Sequence, residues 1–149
     1  MPFPLDEEFV LEAERQLGAK LPDSYRFAMI RSNGGEIEWH EEAWYLHPIA
    51  DTSDRKRLSR TANHLLVETV LARKRRRFPS NGIAIADNVC GDKLLLLVES
   101  NGIGPAVHHW DHETAEITVA VADFAELDAG RERDELARRL RHRGPPRDA

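Results

Sequence analysis

Cysteine is all but missing: Cys90 is the only one. A lone thiol forms no internal disulfide and builds no thiolate zinc site, which excludes the disulfide-stapled secreted scaffolds. Long apolar runs are missing too. The longest, Leu94 to Val98, falls far short of the ~18 residues that cross a bilayer, so no membrane association is expected. The opening Met-Pro-Phe-Pro-Leu-Asp-Glu-Glu has neither a basic region nor an apolar stretch of the kind a signal peptide needs, and a cytoplasmic location is the expectation. No internal repeat or linker is visible. What is present is ordinary globular material: 149 residues, 41% apolar and 32% charged. That is enough for one domain with a real core.

Charge is distributed in blocks. The net charge is −5, with 21 Lys and Arg against 26 Asp and Glu. Residues 1–54 carry twelve acids and four bases, and residues 80–130 carry nine acids and one base. Between them, residues 55–79 carry nine bases and one acid, and the final stretch from 131 is mildly basic. Sequence alone does not say which blocks share a face.

Periodicity organises the chain. Asp6 caps a first helix whose Val10, Ala13 and Leu17 recur at helical spacing, and Gly18 closes it. A second helix starts at Pro22, turns Tyr25, Ala28 and Met29 inward, and stops at Asn33-Gly34-Gly35. The period then becomes two: Ile37/Trp39 and Trp44/Leu46 form a hairpin through His40-Glu41-Glu42. From Asp54 to about Arg75 the spacing of Leu58, Ala62, Leu65, Leu66 and Thr69 predicts one helix. Ile83–Ala86 and Leu94–Val98 read as buried strands, the latter covered on both faces. Val107–Trp110 and Ile117–Val119 pair around Asp111-His112-Glu113-Thr114. Asp123 caps a last helix through Phe124 and Leu127, with a separate helical piece around Leu136 and Leu140. The sum is an α+β fold with a mainly antiparallel sheet, a single domain over 1–143 and a disordered tail at 144–149.

Several chemistries can be weighed on these residues. His108, His109, Asp111 and His112, with His40 and His47 in reserve, are the richest set of metal-ligand types. His108 and His109 face opposite ways on a strand, so at most one converges with the turn, and no metal site is expected. His40-Glu41-Glu42 lacks a metalloprotease's second histidine because Trp44 stands in its place. Gly102-Ile103-Gly104 precedes a strand rather than the helix that a dinucleotide loop requires. No phosphate-binding lysine loop or serine nucleophile elbow occurs. Cys90 has the acids Asp87 and Asp92 as near neighbours rather than a base and an activating positive charge, so a buried or half-buried inert thiol is expected. The run Arg73-Lys74-Arg75-Arg76-Arg77 lacks the interleaved aromatics of a base-stacking surface. A solvated helix end is favoured over a nucleic-acid site. No catalytic residue, cofactor or metal is expected, and the chain is read as a non-enzyme.

Glu12-Ala13-Glu14 through Leu17-Gly18, then Leu21-Pro22-Asp23-Ser24-Tyr25 and Asn33-Gly34-Gly35, resemble the opening of the SUKH superfamily. The centre agrees: Ile83-Ala84-Ile85-Ala86-Asp87, Gly91-Asp92, an apolar strand, then Val107 and Trp110-Asp111-His112-Glu113. The match runs over roughly residues 5–127. The superfamily is named in part for a yeast regulator of cell-wall synthesis, and its bacterial members are mostly immunity proteins that neutralise polymorphic toxins, often nucleases or deaminases. The resemblance implies a non-enzymatic binding fold with a curved sheet and packed helices. It makes a toxin-occluding immunity protein the first expectation. A regulatory or scaffolding domain without a toxin partner is the alternative, and a metal-dependent enzyme using the His108–His112 region comes third. Nuclease and deaminase clefts are basic, so the partner face is expected among acids: Glu36, Glu38, Glu41, Glu42, Asp87, Asp92, Asp111 and Glu113. An exposed Trp39 or Trp44 would anchor it. Oligomeric state has no signal in the chain.

Overall fold

The computed structural model describes residues 2–142; the tail expected at 144–149 lies outside them. The first helix, α1 (Glu7–Leu17), begins at Asp6 and ends on Gly18, whose left-handed φ of 74° lets its N–H reach the Glu14 carbonyl at 2.8 Å. The second, α2 (Asp23–Arg31), follows Pro22 and buries Tyr25, Ala28 and Met29. Glu14 joins the two: its buried carboxylate accepts from the Leu21 N–H at 2.6 Å and lies 3.1 Å from the Arg26 guanidinium. Asn33, buried at the end of α2, exchanges two 2.8 Å hydrogen bonds with the backbone of Ile49.

Strands β1 (Gly35–Trp39) and β2 (Glu42–Leu46) form the expected hairpin. Its turn residues, His40 and Glu41, both have positive φ, at 53° and 61°. That matches the twist of a tight two-residue hairpin without the usual glycine. The single helix expected from Asp54 to Arg75 is instead two: α3 (Arg55–Arg60) and α4 (Leu65–Arg73). Polar side chains make the break. The Thr61 hydroxyl donates to the Arg57 carbonyl at 2.9 Å, and the His64 ring caps α4 by accepting from the Val67 N–H. Apolar spacing is blind to such capping, and Leu58 stands 53% exposed.

The remaining strands are β3 (Gly82–Asp87), β4 (Lys93–Glu99), the short β5 (Gly102–Ile103), β6 (Val107–Trp110) and β7 (Ile117–Val121). They complete a curled, wholly antiparallel sheet in the order β1-β2-β3-β4-β6-β7, with β5 paired on β4. A register shift between Ala84 and Ala86 marks a bulge in β3. Both faces of the central strands are covered. On one, Ile37, Trp44, Ile83, Ile85, Leu94 and Leu96 join side chains of α1 and α2 in the main core. On the other, Ala84, Leu95 and Trp110 meet Ala72 of α4 and Phe78 in a smaller core.

The last helix, α5 (Ala125–His142), opens where Asp123 accepts from the Ala125 N–H at 2.9 Å. It runs unbroken through Gly130 rather than in two pieces. Arg131 holds it against α2 and the start of β1: its buried guanidinium donates to the carbonyls of Ala28, Ser32 and Gly34 at 2.8, 2.7 and 2.6 Å. Ala28 and Ser32 also accept from the Ser32 and Gly34 N–H groups, so Arg131 is a second partner for both carbonyls.

Candidate functional site

Strands that alternate in direction along the sheet send every second connection to the same end. The β1–β2 turn, the β3–β4 loop and the β6–β7 turn therefore leave together. Side chains tie them to one another. Asn88, buried in the β3–β4 loop, accepts from the N–H groups of Cys90 and Asp92 and donates to Glu42 across the sheet at 2.7 Å. Asp92 reaches the third connection. One of its oxygens meets the His112 N–H at 3.0 Å and the His112 ring at 2.5 Å, while the other lies 3.0 Å from His109 Nε2. In the β6–β7 turn, Asp111 accepts from the N–H groups of Glu113 and Thr114 at 2.8 and 3.0 Å.

This wiring sets the charges. Burial works against the ionised Asp92, but the hydrogen bonds from His112 and His109 outweigh it and leave the carboxyl below its usual range. The same bond to Asp92 raises His112. Two backbone N–H groups lower Asp111. Asp92 and Asp111 are thus carboxylates held in fixed directions at neutral pH, with exposed Glu41 and Glu113 beside them.

The expected partner acids fall into two groups. Glu41, Glu42, Asp92, Asp111 and Glu113 gather at the hairpin end. Glu36, Glu38 and Asp87 lie on the sheet face away from the main core, since Ile37 and Trp44 between them point inward. Asp87 there is engaged by Lys93 at 3.2 Å. The expectation of an exposed tryptophan is corrected for Trp44, which is 0% exposed, and for Trp39, which is half-buried. Both pack against the His109 ring, Trp44 edge-on at 5.7 Å and Trp39 tilted at 5.9 Å between ring centres, and so support the hairpin end. On the outer face of the sheet Tyr45 is 45% exposed and paired across strands with Glu36 and Asp87. Strand alternation allows only one of Trp44 and Tyr45 to face solvent, and the length of the hairpin turn decides which. Beside Tyr45 opens a groove of about 410 Å³, with Arg57 and Arg60 on its far side, both packed on the Phe3 ring.

Among the described histidines, His109 and His112 are brought together, with Asp92 between them. Asp92, Asp111 and His112 have ligand atoms within 4.8 Å of one another and could hold a cation. His108 points to the opposite face of its strand, as alternation requires. Cys90 is exposed rather than buried. The turn closed by Asn88 pushes it outward together with Val89. The basic run begins on the last residue of α4. There Arg73 donates to the Gly82 carbonyl at 3.0 Å and Arg75 covers the Trp110 ring.

The family model described as the SMI1 / KNR4 family (SUKH-1) matches residues 4–128, from the N-terminal segment into the first turn of α5. No curated protein matches the chain. No helix among the described residues is long and apolar enough to cross a membrane.

Proposed function

The chain belongs to the SMI1 / KNR4 family (SUKH-1), and from that membership we propose that it is an immunity protein. It binds a cognate nuclease- or deaminase-type toxin domain in the cytoplasm and covers the toxin's active cleft without catalysing a reaction itself. The observation that carries this reading is the convergence of Glu41, Glu42, Asp92, Asp111 and Glu113 on one end of the sheet. A cleft built to attract polyanions presents positive potential, and a block of acids is its complement. Asp92 and Asp111 are already oriented by hydrogen bonds, so little ordering remains to oppose association. Glu36, Glu38 and Tyr45, on the neighbouring face, extend the contact with a rim of charge and an exposed ring.

The test is the association rate with toxin domains of the nuclease or deaminase type, beginning with any encoded by a neighbouring gene. The rate should slow several-fold as salt rises from about 0.05 to 0.5 M, where screening shortens to a few ångströms. Glu41→Lys with Glu113→Lys should slow it further, because both side chains are exposed and neither makes the Asn88 contact that Glu42 does. An association rate indifferent to salt and to these reversals refutes the acidic end. A chain that binds no toxin domain and protects no cell refutes the immunity role and leaves a regulatory or scaffolding domain.

A further inference from the structure

We propose that His47, Glu68 and Asp87 form a binding site for one divalent transition-metal ion of the zinc class, between α4 and the sheet. The three come from separate elements. His47 follows β2, Glu68 lies on α4, and Asp87 ends β3. Their ligand atoms nonetheless lie within 4.8 Å of one another. Zinc bonds of about 2.0–2.2 Å place neighbouring ligand atoms roughly 3.4 Å apart, so closure around an ion asks for about 1 Å of side-chain movement.

The second observation is independent of the carboxylates. His47 is 6% exposed, and its Nε2 is buried with no hydrogen-bond partner. The nearest acid oxygen, on Asp87, stands 3.7 Å away, too far for a hydrogen bond. Buried ring nitrogens are ordinarily paired, so an unpaired one grouped with two carboxylates offers a free lone pair to a metal ion. Burial holds the imidazole neutral, with its pKa pushed down to about 4, and a neutral ring is the form that binds metal. One imidazole with two carboxylates suits zinc; calcium and magnesium favour all-oxygen shells.

Lys93 is the built-in competitor. Its ammonium lies 3.2 Å from Asp87 and supplies a positive charge to this cluster. A metal ion takes over that role at Asp87, and the long lysine stem swings aside. The affinity is therefore set by how readily Lys93 yields. The site is distinct from the hairpin-end group of Asp92, Asp111 and His112, with which it shares no residue.

Titration of the free protein with zinc by calorimetry, and with cobalt by visible absorption, tests the site near neutral pH. The expected result is one ion per chain, weakened at least tenfold by Glu68→Gln and by His47→Gln. Lys93→Met should tighten binding about tenfold, and Asp92→Asn should leave it unchanged. Should His47→Gln fold poorly, Glu68→Gln on the half-buried helix surface carries the same comparison. The proposal is overturned by no stoichiometric uptake at about 0.1 mM free zinc. It is equally overturned by uptake that survives Glu68→Gln and vanishes in Asp92→Asn.

Discussion

Arg131 is 3% exposed, and replacing it with methionine keeps the length of the stem while removing every donor. Three carbonyls lose a charged partner, those of Ala28, Ser32 and Gly34, and Asp128 loses contacts of 3.0 and 2.9 Å. A hydrogen bond to a charged group contributes about 1.5–3 kcal/mol, so a simple sum over three would exceed ~4.5 kcal/mol. The structure trims that sum. Ala28 still accepts from the Ser32 N–H, Ser32 from the Gly34 N–H, and Asp128 keeps Arg31. The expected loss is about 3–5 kcal/mol, in the range for breaking a buried ion pair. For a chain of this size it lowers Tm by about 10 °C. Guanidinium unfolding with an unchanged m-value, together with a thermal melt, measures it. Arg131→Lys should recover less than half, because one ammonium cannot span the carbonyls that the planar fork reaches. A loss under ~1 kcal/mol in the methionine variant, or full stability in the lysine variant, would refute the reasoning.

His47 makes stability depend on acid. The unfolded chain takes up a proton near pH 6.5 while the folded ring resists until about 4, so stability should fall by up to about 3 kcal/mol across that window. His47→Gln should flatten that part of the urea-midpoint profile. His112 acts in the opposite sense, because its pKa is raised by Asp92. Its contribution is complete below the unfolded value and is lost as pH rises through the folded one; an NMR titration should place its midpoint above 6.5, and Asp92→Asn should lower that midpoint. Asn33→Ala removes both hydrogen bonds to Ile49 at a buried site and should cost about 2–3 kcal/mol by chemical denaturation.

Much of the architecture is legible in hydrophobic period and turn chemistry. Gly18, Asn33-Gly34-Gly35 and Asp123 mark ends that the backbone respects, and the alternation in residues 35–46 sets the hairpin. Features decided by distant partners are not legible. Thr61 and His64 interrupt a helical period because of what their side chains accept and donate. Arg131 sits in a segment that reads as solvated charge, and only the end of α2, about a hundred residues away, explains its burial. The candidate site divides the same way. The acids are visible, but the pairing of Asp92 with His109 and His112 depends on the register across β4 and β6. Tyr45 was hidden by its larger neighbour Trp44, since composition draws attention to tryptophan and only the turn decides which ring is outside.

The strand order has a kinetic consequence. Apart from the β5 excursion, each strand pairs with its neighbour in the chain, so the sheet assembles from comparatively local contacts. The bonds that seat the last helix differ: those from Arg131 to Ala28, Ser32 and Gly34 close segments of 103, 99 and 97 residues. Ordering a loop that long costs about 2 kcal/mol more than ordering one a tenth its length. Docking of α5 is thus expected to come late, and an unchanged refolding rate in Arg131→Met checks it. Interactions formed late govern how fast the native state is left rather than how fast it is reached. Loss of the Arg131 contacts should therefore show chiefly on the unfolding limb of the chevron, and through it in how long each molecule persists once folded.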